Sequence, residues 1–234
     1  MNNTTLQQDS LHRRNPGFCK TRVPFRNTNR ESQKVSTSQC HKFMLWIDGV
    51  GAWQLCVGDS FIVGAPSFEQ QSADIALLAN VSRHHATLRR MGEEWRLEAH
   101  HKTSVSGKEV ADSTVLHSGD EIRLAERVRL GFRIPSVLST SAVIDFESDH
   151  RPSHSVDGII LLADHCLLGP RRDHHVYCSR WPELVVIYFQ GGQLRCRSKM
   201  PLTVDGAAIR DSAVLKHGSV VMADDLRFRV EQME

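Results

Sequence analysis

Residues 103–110, TSVSGKEV, and residues 114–122, TVLHSGDEI, return 99 residues later as LTVDGAAI (202–209) and AVLKHGSVV (213–221). Each stretch sets β-branched and apolar residues around a turn signal, Ser106-Gly107 or Ser118-Gly119-Asp120 in the first copy, which reads as strand, tight turn and returning strand. Outward from there the same grammar continues. FMLWI, WQLCV, FIVG, DIALL, HATLRR, EWRLEA, EIRLA and VRLGFRI precede Pro135; AVIDF, IILLA, CLLG, ELVVIYF, QLRCRS, SVVMA and LRFRVE follow it. Runs of this length, with period-two alternation in EWRLEA and VRLGFRI, describe strands, and no stretch carries helical periodicity. The expectation is an all-β chain of two copies of one sandwich, 42–136 and 137–234, joined near Pro135 to Ser139.

Composition narrows the function classes. The 234 residues hold 29 Lys and Arg against 27 Asp and Glu. Seven of those cations and only two of the acids fall in residues 1–41, which are rich in Asn, Gln, Ser and Thr and read as a disordered basic tail. The remainder is slightly acidic, so no nucleic-acid footprint is expected there. No apolar run approaches the roughly 20 residues of a membrane-spanning helix, and the first 40 residues lack the apolar core of a secretory signal. A cytoplasmic protein is expected. Six cysteines without a Cys-x-x-Cys pair argue against a zinc ribbon or redox motif, and neighbouring histidines on a strand point to opposite faces, so the pairs His84-His85, His100-His101 and His174-His175 make poor chelates. No matched acid/base pair is visible, and no metal, cofactor or catalytic residue is expected.

VSRHHATLRR (81–90) concentrates polar chemistry between two apolar runs, with Ser82, Arg83 and His84 in a loop at one end of a sandwich. The order Gly64, SRHHA (82–86), a tryptophan-bearing strand, TSVSG (103–107) and LHSGDEIRL (116–124) resembles the forkhead-associated (FHA) domain, a β-sandwich that recognises phosphothreonine peptides. The resemblance is specific over roughly 42–135 and weak over 137–232. It implies tandem FHA-like β-sandwich domains after the tail, the second diverged. It also implies that Ser82 and Arg83 contact phosphate while Gly64, His85 and Gly107 serve the loop framework. An Arg fork and a short hydroxyl suit a group bringing about −1.5 to −2 charges.

Several positions depart from the family pattern. Ala65 follows Gly64 where the family has arginine, and His101-Lys102-Thr103 and Ser106-Gly107 stand where it often has Asn-Gly-Thr and Asn-Gly. His101, Lys102 and Thr103 are expected to offer positive charge and a hydroxyl to the phosphate, and Ser106 to touch the peptide backbone. In the second copy the motif reads Ser179-Arg180-Trp181-Pro182, with Asp205-Gly206 at the later turn, which implies a degenerate domain used for packing or protein contacts. The reading is a non-enzymatic signalling adaptor for phosphothreonine-containing partners, such as substrates of a Ser/Thr kinase. The alternative is a scaffold of FHA-like domains that binds partners without phosphate.

Overall fold

The computed structural model describes residues 40–67, 73–150 and 152–233, so the tail assigned to residues 1–41 lies almost wholly outside the described residues. The described residues contain strands and no helix. In the first half the strands are β1 (His41–Ile47), β2 (Gly51–Val57), β3 (Ser60–Gly64), β4 (Ile75–Ala76), β5 (Ala86–Met91), β6 (Glu94–Ala99), β7 (Thr103–Val105), β8 (Lys108–Glu109), β9 (Ser113–Leu116), β10 (Asp120–Leu124) and β11 (Val128–Arg133). In the second they are β12 (Ala142–Phe146), β13 (Gly158–Leu162), β14 (His165–Gly169), β15 (Val176–Tyr177), β16 (Val185–Gln190), β17 (Gln193–Ser198), β18 (Leu202–Val204), β19 (Ala207–Ile209), β20 (Ala213–Leu215), β21 (Val220–Ala223) and β22 (Leu226–Met233). The chain is all-β.

Among the described residues, twelve strands form one sheet in the order β19-β18-β21-β22-β1-β2-β13-β12-β11-β10-β7-β8, beside two five-stranded sheets, β4-β3-β5-β6-β9 and β15-β14-β16-β17-β20. Shifting each strand number by eleven turns the first six of the twelve into the last six in reverse, so the internal repeat is visible in the topology. The pairing, however, crosses the division placed at residue 136. β1 pairs with β22, Leu45 opposite Val230, whereas β11 pairs with β12, Phe132 opposite Ile144. Each half therefore receives its opening hairpin from the other half. The two hairpins meet in the middle, where β2 and β13 run parallel with Leu55 opposite Ile160.

This arrangement follows from the apolar runs. A strand with one wet face alternates, while a strand covered on both faces is apolar throughout. Gly158–Leu162 is buried at every position, and the five residues inside β2 are all buried. Alternate side chains then serve different cores. Phe43, Leu45, Trp53, Leu55, Ile160 and Leu162 pack with Leu168, Trp181 and Phe228, whereas Met44, Ala52, Cys56, Ile159 and Leu161 pack with Phe61, Trp95 and Phe132. Gln54, the one polar residue in that stretch of β2, is buried but donates from Nε2 to the Asp74 carbonyl at 2.8 Å. In the connection between β11 and β12, the Thr140 carbonyl accepts from buried Trp95 Nε1 at 2.7 Å, which fixes that segment to the first core.

Candidate functional site

The loop between β4 and β5 is built on Gly64. A Cβ at that position would collide with the backbone carbonyls of Ser82 and Arg83, so the end of β3 and the 82–85 loop approach as closely as only glycine permits. Backbone hydrogen bonds hold the approach: Ala65 N–H donates to the Ser82 carbonyl at 3.0 Å and His85 N–H to that of Val63 at 2.9 Å. With its backbone pinned, the loop leaves the Arg83 side chain in solvent and Ser82 half-buried.

His85 joins this loop to the next. Its Nδ1 accepts from the Ser82 N–H at 3.3 Å, and its Nε2 lies 3.0 Å from the Lys102 carbonyl. Because Nδ1 accepts and a carbonyl cannot donate, the ring is neutral with its proton on Nε2. Burial pushes its pKa below the ordinary imidazole value, in keeping with that tautomer. The His85 carbonyl in turn accepts from the N–H groups of His100 and His101, at 3.0 and 3.1 Å. One imidazole thus spans the Ser82 backbone and the Lys102 backbone, bringing the two candidate binding loops side by side.

The remaining candidate residues are more committed than their sequence positions suggest. Thr103, expected to offer its hydroxyl outward, is buried and donates it to the His101 carbonyl at 2.8 Å. The Ser106 hydroxyl donates to Asp120 Oδ1 at 2.6 Å, and Ser106 and Gly107 occupy successive left-handed positions with φ of 47° and 79°. That pair is the tight turn the Ser-Gly signal announces, with serine where Asn is easier. Burial pushes the Asp120 carboxyl up, but hydrogen bonds from Ser106 and from the His117 backbone leave it below the usual range. Lys102 is exposed, and its ammonium lies 2.6 Å from Glu126 Oε1. The hydrogen bond to that carboxylate raises the lysine's pKa, and the same bond lowers that of Glu126. His101 is exposed, its ring centroid 5.5 Å from that of His85.

Two features escaped the sequence. Glu126 sits in the β10–β11 turn with no motif to mark it. His84 and His100, from different histidine pairs, have ring centroids 4.2 Å apart, and their Nε2 atoms lie 2.8 and 2.9 Å from the same Thr87 hydroxyl. Strand pairing, which places Ala86 opposite Ala99, brings them together. Burial first, then the neighbouring rings of His100 and His101, lowers the His84 pKa. Among the described residues no group of three His, Cys, Asp or Glu side chains is arranged to hold a metal ion.

The second copy has no imidazole at the motif position of His85. Pro182 stands in its place, and Trp181 before it is buried against Phe228 with centroids 6.0 Å apart. Arg180 lies against Gly49 in the β1–β2 turn, Arg171 pairs with Asp173 at 2.7 Å, and Arg172 stacks over Tyr177. Asp205, in the later turn of the second copy, is engaged by the Ser219 hydroxyl at 2.9 Å and the Val220 N–H at 2.8 Å.

The family model of the FHA domain matches residues 61–125. The chain is 30% identical to an FHA domain solved in a structural and functional analysis of phosphothreonine-dependent FHA domain interactions, over 36% of this chain and 88% of that one, with a TM-score of 0.27. It is 26% identical to the FHA domain of Rv0020c, over 38% and 90%, with a TM-score of 0.26. A match at 8% identity to the N-terminal FHA domain of EssC, a component of the bacterial type VII secretion apparatus, spans 82% of this chain and 92% of that one, with a TM-score of 0.23. Comparison with curated proteins finds no matching relative. The chain belongs to the FHA-domain proteins, and the FHA signature occupies residues 61–125.

Proposed function

We propose that this protein is a non-enzymatic, cytoplasmic adaptor whose first FHA domain binds phosphothreonine in partner proteins through Ser82 and Arg83. The observation that carries the reading is the single imidazole of His85, which holds the Ser82 loop against the Lys102 loop while leaving the Arg83 guanidinium exposed. Phosphate sits between those loops, taking a hydroxyl donor from Ser82, the fork of Arg83 and charge from Lys102, with the exposed His101 beside them. Ser106 contacts the peptide through its remaining lone pairs and backbone, since its proton is held by Asp120. The partner is a Ser/Thr kinase substrate, and the second half serves packing and protein contacts.

The test is binding of a degenerate phosphothreonine peptide library and its unphosphorylated twin to the full chain, with Arg83→Ala as control. Phosphate-dependent binding, lost in Arg83→Ala by a factor of about 10–100, is expected, since a hydrogen bond to a charged group contributes about 1.5–3 kcal/mol. A phosphate-independent scaffold is the second reading, favoured by the inward Thr103 hydroxyl and the engaged Lys102. Equal binding of the two libraries would select it.

A further inference from the structure

Three contacts fix Lys102 between the binding loop and the β10–β11 turn. Its carbonyl accepts from His85 Nε2 at 3.0 Å and from the Ala125 N–H at 3.2 Å, and its ammonium bonds Glu126 at 2.6 Å. The turn that delivers Glu126 is unusual. Ala125 and Glu126 both adopt left-handed backbone, with φ of 46° and 71°, where side chains other than glycine, asparagine and aspartate are disfavoured. Strained positions persist where surrounding contacts over-determine them and gather at functional sites. Here the strain places a carboxylate on a cation that the proposed site needs. The cavity beside it, about 230 Å³, carries Lys102 and Arg123 with Glu109 and Glu126 on its walls, two charges of each sign. In the second copy the positions equivalent to Ala125, Glu126 and Lys102 read Asp224, Asp225 and Pro201, so an acid remains at the place of Glu126 but the lysine does not, and neither aspartate is left-handed. The strained geometry accompanies the lysine.

We propose that Glu126 is an affinity gate on the phosphopeptide site, a built-in carboxylate that holds Lys102 until a ligand phosphate replaces it. This rests on the phosphothreonine reading above. Binding exchanges one anion partner of Lys102 for another, so the net gain from that lysine is smaller than its position alone would give. Once displaced, the Glu126 carboxylate is unpaired at the edge of the peptide groove. It then repels acidic residues flanking the phosphothreonine and favours a Lys or Arg there. The preferred ligand is a phosphothreonine peptide with a basic flank.

The experiment measures affinities of the full chain for three phosphothreonine peptides, with alanine, lysine or glutamate flanks, in the wild type, Glu126→Gln, Lys102→Met, the double variant and Arg83→Ala. Glu126→Gln is expected to bind the alanine-flanked peptide about two- to fivefold more tightly, the range of an exposed ion pair. It is also expected to narrow the spread between lysine and glutamate flanks. The gain should vanish in the Lys102→Met background, as a pairwise coupling requires, and shrink at high salt. Unchanged or weaker binding by Glu126→Gln, with binding still lost in Arg83→Ala, overturns the gate and leaves the phosphothreonine reading standing. Absence of phosphate-dependent binding in both the wild type and Glu126→Gln overturns the reading and the gate together. An unchanged unfolding midpoint for Glu126→Gln separates these outcomes from a folding defect.

Discussion

Two buried histidines do similar work in the two halves and give stability a pH dependence. His85 links Ser82 to Lys102, and His175 accepts from the Leu167 N–H at 3.1 Å while its Nε2 meets the Ser141 carbonyl at 3.2 Å. Burial pushes both below the ordinary value of 6.5, His175 to about 4. The unfolded chain therefore takes up protons first as pH falls. The stabilisation is complete above about pH 6.5 and is lost progressively toward pH 4. For His175 alone the loss between pH 8 and pH 5 is about 2 kcal/mol. The urea midpoint should fall over that range, and fall less in His175→Gln; an equal fall in both would mean that His175 is not the titrating group. Ser106 and Asp120 show what a single sequence hides at this scale. Their counterparts Asp205 and Ser219 make the same side-chain bond with the two residue types exchanged. Neither half of that pair could be recognised as a partner before the turn brought the two loops together.

At the scale of elements, the β1–β2 and β12–β13 hairpins decide which pieces are self-sufficient. A fragment of residues 42–136 keeps β1 without β22 and exposes the edge of β11 that β12 covers. A fragment of 58–163 keeps β3 to β13 together, including Ala142, Ile144, Ile159 and Leu161 in the core around Trp95. The second fragment should unfold cooperatively in urea with dispersed amide resonances, and the first should not. Cooperative folding of 42–136 to the same midpoint would show instead that β1–β2 can take the place of β12–β13. The strands themselves were legible, since TSVSGKEV and LTVDGAAI form β7–β8 and β18–β19 around left-handed Ser106-Gly107 and Asp205-Gly206. Their partners across the sheet were not, because period-two patterning sets which face is buried and is silent about which of two similar edges a hairpin joins.

For the described residues as a whole, the central strands β2 and β13 tie two cores together. Ile160 enters the core of Trp181 and Phe228, while its neighbour Ile159 enters that of Trp95 and Phe132. Ile160→Ala should destabilise by about 2–5 kcal/mol, as cavity-forming substitutions do. Because the strand is shared, calorimetry should show one transition moving down as a unit, with calorimetric and van't Hoff enthalpies equal. Two transitions, only one of them shifted, would mean the halves unfold independently. By itself the sequence determined the all-β class, the 99-residue repeat and the SRHHA loop with its glycine. Those features live in local propensity, turn chemistry and spacing, which neighbouring residues in the chain dictate. Only the tertiary structure decided that each half is completed by the other's hairpin, that Thr103 turns inward, and that Glu126 sits on Lys102. Those are contacts between segments distant in sequence, chosen by which surfaces bury together and which charges meet.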